Sequence, residues 1–309
     1  MKPLEQLRVI DLGLGPITGL ATMVLADFGA DVIKIEPPGG DPYRSLPSSR
    51  LWLRGKSTIT VDFHDDAQLA QLKALILDTA DGVVTTLKKG KREGYGLDYA
   101  GLCEGRPDLI YGSISGFGET GPYADYLGYE GIVAAKSGRM MSFEGSAGHA
   151  GPNYAALQVG IHATAQSVAA ALMSAFHARL KSGKGFSFET SLLRGLLPYD
   201  MGGIQTQQLA ERGVIDRPQG RQDPKAAMPR IYYHGARTRD GRWIQFGNLL
   251  PHLQTNFLRA AGIEVDEGGI PEGGDALEEF RNRMLARIEQ LDLDEWMDIF
   301  VSDGGVVAH

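Results

Sequence analysis

Residues 7–36 read LRVIDLGLGPITGLATMVLADFGADVIKIE. Arg8 to Leu12 is a short apolar run, so it reads as a strand. Gly13 and Gly15 then make a tight turn, and Pro16 suits the first position of a helix. Leu20, Met23, Val24 and Phe28 give that helix an apolar face, and Gly29 is placed to stop it. Asp31 to Glu36 is a second apolar strand. Strand, helix and strand at this length predict a right-handed βαβ unit in a parallel sheet.

Working outward, Gly82 to Thr86 and Leu109 to Ser113 read as further short buried strands with helical stretches between them. A long helix is predicted from about Ala155 to Leu180, with Leu157, Ile161, Val168, Leu172, Phe176 and Leu180 spaced by fours and sevens. From Met201 to Lys225 the pattern dissolves into Gly, Gln, Arg and Pro, as in a linker. A second unit follows, with strands near Ile231 and Trp243 and a helix over Pro251 to Ala261. Asp275 with Glu278 resembles a capping box, ahead of a stripe formed by Leu277, Phe280, Met284, Ile288 and Leu291. The organisation expected is therefore α/β. A Rossmann-like large domain covers 1–200, a linker 201–225, and a smaller α+β domain 226–309.

The 309 residues suffice for two cores, and 43% hydrophobic with 22% charged residues is ordinary for a globular chain. A net charge of −7, with no long Lys/Arg block, argues against a nucleic-acid partner. The lone cysteine, Cys103, excludes an internal disulfide and fits a reducing compartment. The N-terminus lacks an apolar secretory core. The apolar helix around residues 168–180 is interrupted by Ser167, Ser174 and His177, which argues against a membrane span. A cytoplasmic location is expected. Neither HExxH nor CxxC occurs and the seven His are scattered, so no metal is expected.

Two features point to a ligand. Gly13, Gly15 and Gly19, with Glu36 closing the second strand, offer a phosphate the N-terminus of a helix and a ribose an acid. The spacing is G-x-G-x-x-x-G, so three readings stay open: a nicotinamide dinucleotide, another nucleotide, or glycines that only make turns. Lys88, Lys89, Lys91 and Arg92 form one compact basic cluster, either a phosphate site or a solvated face.

Residues 107–130, PDLIYGSISGFGETGPYADYLGYE, run from an apolar strand into a loop rich in small residues, where backbone N–H groups can approach a ligand. This wording resembles the signature of the class III CoA-transferases, the L-carnitine dehydratase/bile-acid-inducible protein F type, which also includes the α-methylacyl-CoA racemases. Residues 7–36, RGKSTITVD (54–62), YGLDYAGL (95–102), SGKGFSFETSLL (182–193) and DGRWIQ (240–245) resemble further segments of that family, in order.

The resemblance implies coenzyme A as carrier, acyl-CoA and a carboxylic acid as substrates, and two chains interlocked as a homodimer. It assigns coenzyme A contacts to Gly15, Glu36, Thr86, Lys88, Lys91 and Arg92. Thr86 stands where the family commonly has Asn, Gly94 where it has Arg, and Pro37 where it has a basic residue. The family's catalytic Asp forms a mixed anhydride with the acyl group. Counting back from Gly185, its position falls on Ile161. His162 and Glu130 are the candidates to replace it, Glu130 belonging to GYE where racemases carry GHD. Three functions follow: CoA transfer, a half-site module completed by a fused or partner domain, and acyl-CoA racemisation. Family members also continue beyond the equivalent of DEWMDIFVSDGGVVAH (294–309), so a closing segment is expected outside this chain.

Overall fold

The computed structural model describes residues 2–140, 152–154, 157–199, 208–215, 233, 235–265, 270–271 and 274–309. It divides into two compact units, one of Met1–Arg139 with Tyr154–Gln208 and one of Met140–Asn153 with Leu209–His309. Most of the segment 201–225 read as a linker lies outside the described residues.

The first unit is built on six parallel strands, β1 (Arg8–Asp11), β2 (Asp31–Glu36), β3 (Lys56–Thr60), β4 (Gly82–Thr85), β5 (Ile110–Ser115) and β6 (Phe186–Ser191). Their order is β3-β2-β1-β4-β5-β6. The chain winds outward in both directions from the centre, so the C-terminal ends of β1 and β4 open a crevice between them. β1, β4 and most of β5 are buried on both faces, which is why they read as unbroken apolar runs.

Helices cover each face: α1 (Pro16–Asp27), α2 (Ser49–Leu53), α3 (Asp66–Thr79), α4 (Lys89–Gly94), α5 (Tyr99–Cys103), α6 (Glu130–Lys136), α7 (Val159–Ser182) and α8 (Leu192–Leu196). One core joins Leu20, Leu25, Trp52, Val133, Ile161, Val168, Leu172 and Phe176. The other, across the sheet, joins Ile10, Ile33, Leu72, Ile76, Val83, Leu97 and Tyr111.

The buried face of α1 differs from the one expected. Val24 and Phe28 are exposed, and Leu20, Ala21, Leu25 and the small residues Thr18, Gly19 and Thr22 face inward. Small residues let α1 approach α7 and Trp52 closely; a methyl on Gly19 would come within 2.5 Å of the Trp52 ring. Gly19 thus serves packing against Trp52. α7 starts at Val159 rather than Ala155, and the outer residues of its expected stripe, Leu157 and Leu180, are exposed. α7 has the length and apolar composition of a membrane span, and 56% of its most apolar window is buried within the protein.

The second unit pairs β7 (Gly235–Arg237) antiparallel with β8 (Trp243–Gln245). The strand expected near Ile231 lies outside the described residues. Helices Pro251–Ala261, Gly274–Ile288 and Leu293–Met297 pack around Phe246, Phe257, Met284, Trp296 and Phe300. Asp275 is already inside its helix, and among the described residues Asp292 with Glu295 forms a capping box.

Candidate functional site

A cavity of about 950 Å³ opens at the ends of β1, β4 and β5, in the first unit. That is where an open parallel sheet of this order binds its ligand, and the volume is large for a small-molecule site.

Its first wall is the β1–α1 turn. Leu12 donates its N–H to the Val84 carbonyl at 2.8 Å, and Leu14 donates to the Thr86 hydroxyl at 3.1 Å. Thr86 therefore ties the two strand ends that frame the crevice. Gly15 has φ 74°, which only glycine adopts without strain, and its N–H donates to Asp41 Oδ2 at 2.8 Å. A Cβ on Gly15 would strike the Tyr43 ring at 2.7 Å, and Tyr43 lines the cavity beside Leu14, Pro16 and Ile17.

Beneath this turn lies a buried charge network. Lys34, with no exposed side chain, donates to the Gly13 carbonyl and stands 3.4 Å from Asp41 and 3.9 Å from Asp11. Lys56 donates to the Gly19 carbonyl at 2.8 Å and lies 3.5 Å from Asp11. Burial opposes ionisation of Asp11, but Lys34 and Lys56, together with the hydroxyls of Thr18 and Thr22, hold the carboxyl below its ordinary value. Burial lowers the Lys56 pKa, with Asp11 opposing. The network fixes the turn from below, and its Asp41 also accepts from the Tyr43 N–H at 2.9 Å. None of this is legible locally, because Asp11, Lys34, Asp41 and Lys56 meet only in the tertiary structure.

The second wall is the segment after β4. Lys88, Lys89 and Lys91 are exposed and line the cavity. The Lys88 ammonium reaches the Asp125 carbonyl at 3.4 Å, and Lys89 stands 4.0 Å from Glu93. Arg92 behaves differently. It is buried, paired with Glu119 and donates to the Leu87 carbonyl at 3.2 Å. Its charge is committed to fixing the glycine-rich loop. Burial disfavours the ionised Glu119, yet Arg92 holds it below the usual carboxylate value.

The loop itself closes on its glycines. A methyl on Gly116 would come within 2.3 Å of the Gly128 Cα, so the two ends of the loop touch backbone to backbone. Between them Phe117, Tyr123 and Tyr126 pack ring against ring, with centroids 5.1–6.1 Å apart.

The third wall is the head of α7. Glu130 is buried, and its two oxygens accept the N–H groups of Gly160 at 2.9 Å and Ile161 at 2.8 Å. A carboxylate so placed satisfies the first free amides of the helix and complements its dipole. Gly160 must be small, since its Cβ would meet Glu130 at 2.6 Å. Ile161 and Leu192 line the cavity next to it. His162 points outward and is not part of the lining, because the next residue on a helix is turned by about 100°. Glu36 is also outside the lining; it is buried and bound to Arg44 Nε at 2.7 Å. Of the sequence candidates, the cavity gathers Thr86, Lys88, Lys91, Arg92, Glu130 and Ile161, with Gly15 just behind its wall. Sequence reading does not single out Tyr43 and Leu192, which carry no local signal, and takes Tyr129 only as part of the GYE motif. Among the described residues no group of His, Cys, Asp or Glu could hold a metal.

The model of CoA-transferase family III matches residues 4–309. The chain belongs to CoA-transferase family III. Within that family it is 33% identical to succinyl-CoA–D-citramalate CoA-transferase of Chloroflexus aurantiacus over 84% of this chain and 65% of the relative. It is 38% identical to succinate–glutarate CoA-transferase of Agrobacterium fabrum over 62% of this chain and 51% of the relative. The chain thus spans about half to two thirds of these relatives' length. A crystal structure of a CaiB/BaiF family protein from Brucella suis matches 99% of this chain and 83% of its own, with 27% identity and a TM-score of 0.78. Rv3272 of Mycobacterium tuberculosis, at 24% identity and a TM-score of 0.81, covers the whole chain and 82% of its own, and shares the fold.

Proposed function

We propose that this family member binds CoA thioesters in the cavity and transfers CoA between an acyl-CoA and a carboxylic acid. One observation carries the reading: the crevice between β1 and β4 has exposed lysines on one wall and the head of α7 on another. Lys88, Lys89 and Lys91 suit the phosphates of coenzyme A, while Arg92 and Glu119 hold the loop against them. The glycine-rich loop, with Gly116 and Gly118 in the cavity lining, lets the thioester approach the backbone closely. In the net reaction the donor's acyl–sulfur bond breaks and its acyl carbon takes one oxygen from the acceptor carboxylate, leaving as a free carboxylate. The acceptor's acyl carbon forms the new bond to the coenzyme A sulfur. The two-domain division at 1–200 and 226–309, a cytoplasmic location and an interlocked homodimer belong to the same proposal, by family resemblance.

Ile161 favours a second reading. The resemblance puts the family's acyl-accepting acid at this position, and an alkyl side chain offers no attacking oxygen. Glu130, the neighbouring carboxylate, is bound to two amides of α7. A half-site module that binds CoA and receives its nucleophile from a fused or partner domain is consistent with that. Incubation with several acyl-CoA donors and acids, read by chromatography of the CoA esters, tests the first reading. New CoA esters support it. CoA binding without new esters, and without a hydroxylamine-trapped acyl adduct on Glu130, supports the second.

A further inference from the structure

We infer that the acyl end of the cavity is built for an uncharged, monocarboxylic acyl chain and turns away dicarboxylic acyl groups. The inference rests on the reading of the cavity as a CoA-thioester site and adds the class of acyl group. The cavity is polarised. Every lysine and arginine among its described lining residues comes from one segment, Lys88 to Arg92, and the last of these is neutralised by Glu119. Another end of the lining, at the head of α7, is formed by Ile17, Tyr43, Ile161 and Leu192, which share one apolar cluster. Ile161 and Leu192 belong to the main core of the unit, so this end is continuous with apolar interior. Tyr43 is partly buried against it, and its phenol pKa is raised by burial and by the neighbouring Tyr129.

The charge at this end is negative. Glu130 lines the cavity, is buried, and has its oxygens on the Gly160 and Ile161 amides, at the root of the apolar wall. Coenzyme A brings its phosphates to the lysines, which directs the thioester and its acyl group toward Ile161. An alkyl chain there buries methylene groups against Ile17, Ile161 and Leu192. A second carboxylate there would lose its water beside Glu130, facing a like charge and, among the described lining residues, no cation of that end.

Calorimetry on the intact protein with coenzyme A, hexanoyl-CoA and succinyl-CoA tests this. Each buried methylene is worth about fourfold in affinity, so hexanoyl-CoA should bind roughly tenfold or more tighter than coenzyme A. Succinyl-CoA should bind no tighter than coenzyme A. Succinyl-CoA matching or exceeding hexanoyl-CoA overturns the inference and leaves the CoA reading standing. No heat with any of the three overturns both. A Leu192→Arg variant places a cation at the acyl end, with native far-ultraviolet circular dichroism and a cooperative melt showing that it folds. Its ratio of succinyl-CoA to hexanoyl-CoA affinity should rise by about tenfold or more; an unchanged ratio overturns the placement of the acyl end. If that variant does not fold, the titrations of the unaltered protein decide the matter.

Discussion

Lys34 stands under the β1–α1 turn with its ammonium wholly buried between Asp41 and Asp11. Removing one partner of such a group leaves a buried charge uncompensated, which costs about 3–5 kcal/mol. Lys34→Met should lose stability on that scale in urea denaturation and weaken CoA binding through the displaced Tyr43 wall. A loss below about 1 kcal/mol would show that the buried charges are not paired as described. Asp11 gives the same network a pH signature. Its folded pKa lies below the ordinary value of 3.8, so the stability it contributes is present above that value. That stability is lost as pH falls through the folded pKa. Acid titration of unfolding should show a loss beginning below about pH 4 that Asp11→Asn shifts. Lys88 and Lys91, unlike Arg92, are exposed. Replacing both by Ala should weaken CoA binding about tenfold with little change in stability, and the difference should shrink at high salt. Unchanged affinity at low salt would remove these lysines from the phosphate site.

At the scale of elements, the glycine-rich loop and α7 do different work. The loop closes where Gly116 meets Gly128, with no room for a methyl on either. Gly116→Ala should open that neck. It is expected to weaken CoA binding by more than tenfold while far-ultraviolet circular dichroism stays native, since the sheet beneath is separately packed. Binding within twofold of the unaltered protein would mean that the neck does not shape the cavity. α7 carries the core through Val168 and Leu172, both with no exposed surface. Leu172→Ala should cost about 2–5 kcal/mol, read by denaturant midpoint. The helix face was legible as a spacing of fours and sevens. Its start was not, because α7 begins where Glu130, a residue of another helix, receives its first amides.

At the scale of the whole molecule, a ligand that binds only the folded chain raises its melting temperature by mass action. CoA thioesters at a hundredfold excess over Kd should stabilise the protein by about 2.7 kcal/mol, and adenine nucleotides lacking the pantetheine arm by less. Equal shifts would mean that only the nucleotide end is recognised. The sequence by itself determined the central strands β1, β2, β4 and β5 of the parallel sheet, because strands buried on both faces must be unbroken apolar runs. The edge strands β3 and β6 are instead exposed or half-buried over most of their length. It also determined the β1–α1 turn, because only glycine takes the backbone of Gly15, and it marked the basic segment after β4 by composition. The fate of single residues was decided by tertiary structure. Arg92, read as a phosphate ligand, lines the cavity paired with Glu119, and Glu36, read as a ribose acid, is bound to Arg44. Val24 and Phe28 looked buried and are not, because small residues let α1 approach its neighbours on another face. Periodicity and composition are local properties of a chain. Which charge meets which, and which face of a helix finds a partner, depends on residues tens of positions apart that only the fold brings together.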